Sequence, residues 1–256
     1  MQYIHALILG VLEGITEFLP ISSTGHLALG GALLGIPQTS FMKSFEIIIQ
    51  LGAILAVCAL YAEKIISQKN LWKKIIVAFV PTAFAGYFLY SFVVGHLLGN
   101  ITVIAWTLFL GGVILLFFER WYVKREAHMH RTVTMVDAVV IGTVQIIAMI
   151  PGVSRSGATI VGGLLRGIKR EHIVEFSFLL AIPTMGAATV LDLMKSPVTF
   201  APQEYLFLLI GFVSAFVSAF IVAQWFVRFI QTNSFRGFAW YRIILGGLLL
   251  YFIYLW

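Results

Sequence analysis

The chain has 256 residues, of which 60% are hydrophobic and only 11% are charged, and its formal net charge is +6. A soluble domain of this length cannot bury so much apolar surface, so the composition excludes a soluble protein and indicates a membrane protein. The basic residues lie in short loops, which argues against a nucleic-acid partner. The single cysteine, Cys58, excludes an internal disulfide.

The N-terminal apolar stretch is too long for one membrane span, which needs about 20 residues. Pro20 and the Ser-Ser-Thr-Gly run at residues 22–25 break it near its middle. This break predicts two half-length helices that meet at a polar turn, as in a re-entrant hairpin. Backbone at membrane depth must lie inside protein or against water, so we expect the turn to face an interior polar cavity. Glu13 interrupts the apolar run and no Lys or Arg precedes it, so we expect no cleaved signal peptide.

Three apolar runs follow, and then the whole pattern repeats. Residues 142–168 match residues 10–36 at a constant offset of 132, and the second copy is broken by a Pro, Ser and Gly cluster at residues 151–157. The identical pairs include Gly10 and Gly142, Ser22 and Ser154, and Gly25 and Gly157. The six predicted spans cover about residues 44–62, 75–98, 102–120, 173–192, 205–229 and 238–256.

Each half therefore has one hairpin and three crossings, and an odd number of crossings inverts the second half relative to the first. With the N-terminus outside, thirteen Lys and Arg residues fall in loops predicted inside and two in loops predicted outside. This asymmetry follows the positive-inside rule. We predict an all-α integral membrane protein with an inverted-topology repeat and both termini outside. It is one membrane domain over residues 1–256, with repeats at about 1–130 and 131–256.

Ionisable side chains at membrane depth are costly, at least ~2.5 kcal/mol each, and indicate a functional site. Glu13 and Glu17 are four residues apart on one helical face, so the pair should share a proton or bind a cation. Ligands that are all oxygen suit Mg²⁺ or Ca²⁺. The alternative is a protonated, hydrogen-bonded pair that holds helices together.

The two broken segments also predict a diphosphate site. Each turn precedes a helix, so its hydroxyls can cap the helix while the helix N-terminus attracts phosphate. Arg155 adds a guanidinium that can grip phosphate through two nitrogens; the alternative is a structural or snorkelling arginine. The predicted substrate-binding residues are Ser22, Thr24, Gly25, Ser154, Ser156 and Gly157.

His26 follows the first turn, where it could act as general acid, general base or nucleophile. The alternative is a buried structural histidine. Glu46 and Gln50 lie four residues apart on the next helix. They are predicted either to support the site residues or to cap that helix, because a Glu near a helix N-terminus is favourable.

Four segments of the chain resemble a known family. They are EGITEFLPISSTGH at residues 13–26, FEIIIQLGAILA at 45–56, PGVSRSGAT at 151–159 and EFSFLLAIP at 175–183. Together they resemble the bacterial undecaprenyl pyrophosphate phosphatases of the bacitracin-resistance type, over essentially the whole chain. The family's acidic motif falls on Glu13 and Glu17, its serine turn on Ser22, Ser23 and Thr24, its histidine on His26, and its phosphate-binding motif on Ser154, Arg155, Ser156 and Gly157.

The resemblance implies a hydrolase of the bacterial cytoplasmic (inner) membrane that depends on a divalent cation. Its substrate would be the C55 polyprenyl diphosphate, converted to the monophosphate carrier for peptidoglycan synthesis. Arg155, backbone N–H groups and a cation on Glu13 and Glu17 would neutralise the diphosphate. Ser23 or His26 would then attack phosphorus, or His26 would activate water.

The competing interpretation is a secondary transporter or flippase for a polyprenyl phosphate lipid, because inverted repeats with intramembrane carboxylates are also typical of transporters. The hydroxyl, imidazole and guanidinium groups favour the phosphatase, since transport does not require them. The sequence leaves the oligomeric state open, a homodimer included.

Overall fold

A computed structural model describes residues 1–123, 131–195 and 200–255, and the secondary structure of these ranges is helical apart from an isolated β-bridge between Arg131 and Ile168. In chain order the helices are α1 (Tyr3–Thr16), α2 (Ser23–Leu33), α3 (Ser40–Leu60), α4 (Ala62–Ser67), α5 (Lys69–Phe92), α6 (Ile101–Val123), α7 (Met135–Gln145), α8 (Arg155–Leu165), α9 (Arg170–Lys195), α10 (Pro202–Thr232) and α11 (Arg236–Leu255). A π-helical turn (Val93–Leu97) extends α5, and a 3-10 turn (Ile146–Met149) follows α7.

The six predicted spans are confirmed as helices that are long and apolar enough to cross a membrane. They are α3, α5 with its π-helical turn, α6, α9, α10 and α11. All six begin before the predicted apolar run. The Thr39 hydroxyl, for example, accepts the Met42 N–H at 3.2 Å, so α3 begins at Ser40 rather than at residue 44. Lys124 and Arg125, two of the thirteen basic residues in loops predicted inside, lie outside the described residues.

Each broken segment is a pair of short helices joined by a turn, as predicted. Helices α2, α7 and α8 have 11 residues each and α1 has 14. At 1.5 Å per residue, 11 residues span about 16 Å, roughly half of the hydrocarbon core. None of these helices could cross a bilayer alone.

Each broken segment packs against a long helix of the other half. Helix α1 lies along α10, where a side chain at Gly10 would collide with Gly211 and Ser214. Helix α7 lies along α5, where a side chain at Gly142 would collide with the backbone of Ala78. Glycine at these two matched positions lets the helix backbones approach closely. The two halves therefore interlock.

Arg242 of α11 joins the two turns through hydrogen bonds to their backbone carbonyl groups. Its side chain is 2% exposed, and its Nη1 donates to the carbonyl oxygens of Pro20 and Val153, each at 3.0 Å. Its Nη2 donates to the carbonyl oxygens of Gly152 at 3.0 Å and Thr107 at 3.1 Å. Pro20 and Gly152 are matched positions of the sequence repeat. One guanidinium thus fixes the same point of both turns.

Gly111 on α6 makes room for this clamp, since a side chain there would overlap the Arg242 guanidinium. The second half of the sequence has a matching glycine pair, Gly246-Gly247. The contact of Gly111 with Arg242 explains the need for a glycine there, and this contact could be found only from the tertiary structure.

Replacing Arg242 by Gln should destabilise the protein, because several buried carbonyl groups would lose their donor. An unpaired buried polar group costs ~1–3 kcal/mol, so we expect the free energy of unfolding to fall by roughly 3 kcal/mol. The measurement is the thermal unfolding midpoint in detergent. Arg236→Gln on the same helix, at an exposed position, is the control. Equal thermal unfolding midpoints for the two variants would show that Arg242 does not stabilise the two turns.

Candidate active site

The two turns end in serines with the same unusual backbone. Ser22 has φ 71° and Ser154 has φ 76°, and no other described residue except glycine has a positive φ. Each hydroxyl accepts the N–H three residues ahead, from Gly25 at 3.4 Å and from Gly157 at 3.2 Å. The predicted N-caps are confirmed. Because this backbone costs on the order of 1–3 kcal/mol, it points to a functional turn.

The turns enclose a polar cavity of about 140 Å³. Its lining residues are Glu17, Ser22, Ser23, Thr24, Gln50, Ala148, Pro151, Gly152, Ser154, Arg155 and Met185. Side chains from both copies of the repeat line it, so the structure brings the two turns together as predicted. A direct hydrogen bond also connects the two turns, because the Ser156 hydroxyl donates to the Leu19 carbonyl oxygen at 2.8 Å.

Glu17 is the centre of the hydrogen bonds in this cavity. Its Oε1 accepts Arg155 Nη2 at 2.9 Å, and its Oε2 accepts the Ser23 hydroxyl at 2.5 Å. Gln50 Nε2 also points at Oε2, at 3.5 Å. The Glu17 residue is 6% exposed, so the carboxylate is largely removed from water. It therefore joins the guanidinium of the second half to the hydroxyl of the first.

Arg155 is the first residue of α8, at the positive end of the helix. Its Nη1 donates to the Ser177 carbonyl at 2.7 Å, and its Cζ lies 5.8 Å from the centre of the Phe18 ring. Its Nε has no hydrogen-bond partner among the described residues. The guanidinium is held in one orientation beside the cavity, which suits an anion.

His26 does not line the cavity. Its Nδ1 lies 2.7 Å from the Ser22 carbonyl oxygen, and its Nε2 lies 2.7 Å from the Tyr241 hydroxyl. Both ring nitrogens are therefore engaged, on the side of α2 that faces α11. The catalytic role of His26 stays a prediction.

Glu13 lies one helical turn before Glu17 and is fully buried. Both of its carboxylate oxygens lack a hydrogen-bond partner within the described ranges. A buried carboxylate without a donor is costly unless it carries a proton or meets a cation.

The donor set at Glu13 and Glu17 fits a magnesium or calcium ion, because it offers only oxygen. The described part of the chain has no group of three or more metal-binding side chains. Mg²⁺ is commonly held by one or two carboxylates together with substrate phosphates and water. Glu17 lines the cavity and Glu13 does not. A cation held by these two glutamates would need further oxygen ligands from substrate or water.

The other predicted residues divide into two groups. Ser22, Thr24, Ser154 and Gln50 line the cavity. Gly25, Ser156, Gly157 and Glu46 do not line it. The N–H groups of the two glycines serve the serine caps, and Glu46 accepts Gln38 Nε2 at 3.3 Å.

Two residues of α11 that contact the site were not predicted from the sequence. Arg242 and Tyr241 are adjacent in the chain, and together they contact both turns and His26. An arginine within an apolar helix was a detectable signal, since such charges need a reason. Ser177 lies in the EFSFLLAIP motif, but the motif did not indicate that its backbone carbonyl would accept from Arg155, since every residue provides such a carbonyl.

Comparisons with known proteins identify the family of this chain. The sequence model of the family described as bacitracin resistance protein BacA matches residues 6–248, which include both turns and Arg242. Proteins named undecaprenyl-diphosphatase are similar over nearly their full length. The one from Aquifex aeolicus is 51% identical over 244 residues, which is 94% of this chain and 95% of the relative.

Two further relatives of the same name extend the comparison. The protein from Bdellovibrio bacteriovorus is 47% identical over 256 residues, covering 99% of this chain and 97% of the relative. That from Thermus thermophilus is 45% identical over 251 residues, covering 97% and 96%. The chain belongs to the bacitracin resistance protein BacA family, as its motifs predicted.

Proposed function

We propose that this protein hydrolyses undecaprenyl diphosphate to undecaprenyl phosphate and inorganic phosphate, and so recycles the lipid carrier for peptidoglycan synthesis. One observation carries the proposal. The Ser23 hydroxyl donates to Glu17 at 2.5 Å, and Glu17 is paired with Arg155 at 2.9 Å, in a cavity between two helix N-termini. The names of the relatives support the choice of substrate.

The diphosphate binds where positive charge converges. Helices α2 and α8 both begin at the cavity, and a helix N-terminus carries roughly half a positive charge. The Arg155 guanidinium adds a full charge, and the hydroxyls of Ser22, Thr24 and Ser154 add polar contacts. Phosphoryl transfer needs mainly this kind of positioning and charge stabilisation.

Ser23 is the nucleophile in this proposal, with Glu17 as its general base. The Ser23 Oγ attacks the terminal phosphorus while its proton passes to Glu17 Oε2. The bond from phosphorus to the bridging oxygen breaks, and undecaprenyl phosphate leaves. A serine that is hydrogen-bonded to a base, which a third group orients, is the usual arrangement of an activated nucleophile.

Water completes the reaction by displacing Ser23 from phosphorus. Glu17 returns the proton to Ser23 Oγ as the phosphoserine bond breaks, and both water protons leave with the phosphate. His26 Nδ1 lies 2.7 Å from the Ser22 carbonyl oxygen, so His26 positions the serine turn. Attack by His26, or by water that His26 activates, is distinguished by the experiments below.

Glu13 and Glu17 would hold the divalent cation. When bound, the cation supplies neutralisation of the phosphate charge that develops during transfer. Glu13 accepts no hydrogen bond from the described residues, so its carboxylate remains available for this purpose.

The membrane arrangement belongs to the same proposal. The chain is a multi-pass protein of the bacterial inner membrane, with inverted repeats at about 1–130 and 131–256 and both termini outside. The reciprocal packing of α1 on α10 and α7 on α5 supports the repeat, and the loop charges support the orientation. The site opens outward, where recycled lipid diphosphate is released.

Purified protein should release inorganic phosphate from undecaprenyl diphosphate, and Arg155→Ala should lower kcat/KM by about 10²–10³-fold, since it removes a charged donor from the transition state. Arg228→Ala, at an exposed position of α10, is the control. If folded wild-type protein releases no phosphate, the phosphatase proposal fails. Flipping of a polyprenyl phosphate in liposomes then becomes the function to test.

Ser23→Ala should lower phosphate release on the order of 10³-fold or more, because the nucleophile is lost. Rapid quenching of the wild-type reaction should trap a phosphoenzyme on Ser23 that is stable in acid. Ser67→Ala, an exposed serine of α4, should leave activity unchanged. An acid-labile adduct on His26 would instead assign attack to the imidazole, and inversion at a chiral phosphorus would assign it to water.

Addition of Mg²⁺ or Ca²⁺ with pyrophosphate should raise the thermal unfolding midpoint of the wild-type protein, because a bound ligand stabilises the folded state. Glu13→Gln should abolish this rise, since the amide carries no charge. Glu63→Gln, an exposed position, should keep it. A rise retained in Glu13→Gln would place the cation elsewhere.

A further inference from the structure

A second cavity with a polar lining lies where α4, α5 and α9 meet, and we call it the basic pocket. It has about 560 Å³, and none of its lining residues lines the cavity between the two turns. Helices α5 and α9 both begin at this pocket. It therefore lies at the face that we propose as inner.

Positive charge in the basic pocket exceeds negative charge. Three lysines line it, Lys64, Lys69 and Lys74, against a single carboxylate, Glu175. Lys64 Nζ lies 2.7 Å from Glu175 Oε1, so that carboxylate is already paired. Lys69 and Lys74 form no ion pair with any carboxylate of the described ranges. An anion in the pocket would supply the missing opposite charge.

Uncharged donors lie beside these two lysines. Asn70 and Thr132 line the pocket and offer an amide and a hydroxyl. The first residues of α5, Lys69 and Asn70, belong to the same lining, and no side chain in the described part of the protein caps this 24-residue helix. Its N-terminus adds a partial positive charge and N–H groups. Ammonium groups, amides and helix N–H groups together suit a phosphate.

The surroundings of the basic pocket favour a lipid over a soluble anion. Ile66, which directly precedes the pocket residue Ser67, is 80% exposed, and Ile76 on α5 is 48% exposed. Exposed apolar side chains at this level would contact the edge of the hydrocarbon. Trp72 Nε1 donates to the Ile65 carbonyl at 2.9 Å, and tryptophan is enriched at the membrane interface. The pocket therefore lies at the level of lipid head groups.

We propose that the basic pocket binds the phosphate head group of an anionic phospholipid of the inner leaflet. Anionic lipids of this leaflet attract clusters of Lys and Arg, and basic pockets between membrane helices take their head groups. The volume is within the usual range of about 300–1,000 Å³ for small-molecule sites. The phosphate pairs with Lys69 and Lys74, and the acyl chains stay in the bilayer along α5.

A bound head group would hold three elements together. Lys64 of α4 is already paired with Glu175 of α9, and the phosphate adds the N-terminus of α5 to this contact. The inference is independent of the proposed function, because it uses no residue of the cavity between the two turns.

A charge-matched pair of variants isolates the pocket from the general attraction of a basic surface to anionic lipid. Lys69→Gln/Lys74→Gln removes the two unpaired charges of the pocket. Lys73→Gln/Arg236→Gln removes the same number of charges from exposed positions that do not line it. The thermal unfolding midpoint of each variant without lipid gives its own baseline.

Phosphatidylglycerol added in detergent should raise the midpoint of the wild type and of Lys73→Gln/Arg236→Gln, because a bound ligand stabilises the folded state. The same rise in Lys69→Gln/Lys74→Gln should need about 10–30-fold more lipid, since two charges that attract the head group are gone. Phosphatidylcholine, which has no net charge, should not distinguish the variants. An equal response of both double variants to phosphatidylglycerol would overturn the inference.

Two further measurements identify the source of the phosphate and the place where it binds. A rise with inorganic phosphate that is lost only in Lys69→Gln/Lys74→Gln would assign the pocket to a soluble anion and overturn the lipid. Phosphatidylglycerol with a photoreactive head group should label α4 and the first turns of α5, and this labelling should fall in Lys69→Gln/Lys74→Gln alone. Labelling confined to other helices would also overturn the inference. None of these measurements depends on hydrolysis of undecaprenyl diphosphate, so the proposed function and this inference fail separately.

Discussion

The ion pair between Arg155 and Glu17 joins the two halves of the chain, with 2.9 Å between Nη2 and Oε1. Both groups are largely removed from water, and a buried charge without its partner is strongly destabilising. Each copy of the repeat therefore brings one charge that the other copy neutralises. The Ser23 hydroxyl shares the same carboxylate, so the geometry of the proposed nucleophile depends on contact between the halves.

Rigidity around this pair comes from backbone contacts outside the cavity. Arg242 binds carbonyl oxygens of both turns, and the serines that follow, Ser22 and Ser154, have the same strained φ. Such backbone persists only where the surroundings enforce it. Arg242 and Arg155 together place two positive charges near the turns. A site of this kind is organised for an anion before the anion arrives, which is the main requirement for electrostatic stabilisation of phosphoryl transfer.

The polar cavity has about 140 Å³, and side chains of both copies of the repeat line it. Gln50 of α3 belongs to this lining, and its Nε2 lies 3.5 Å from Glu17 Oε2. The charged groups of the cavity, Glu17 and Arg155, pair with each other and are largely buried. Pairing in the protein interior is how a membrane protein holds charged side chains without exposing them to hydrocarbon.

Hydrophobicity and spacing in the sequence were sufficient for the six spans, the two broken segments and the serine caps, because each of these depends on neighbouring residues. The motifs also identified the family and most of the cavity lining. The directions of the Ser23 and His26 side chains needed the tertiary structure, although both lie in the first turn of α2. Ser23 meets Glu17, while His26 turns to Tyr241 of α11, 215 residues away. Sequence determined which groups are present at the membrane interior, and long-range packing of α10 and α11 decided which of them meet, since a side chain's partners depend on the helices packed around it.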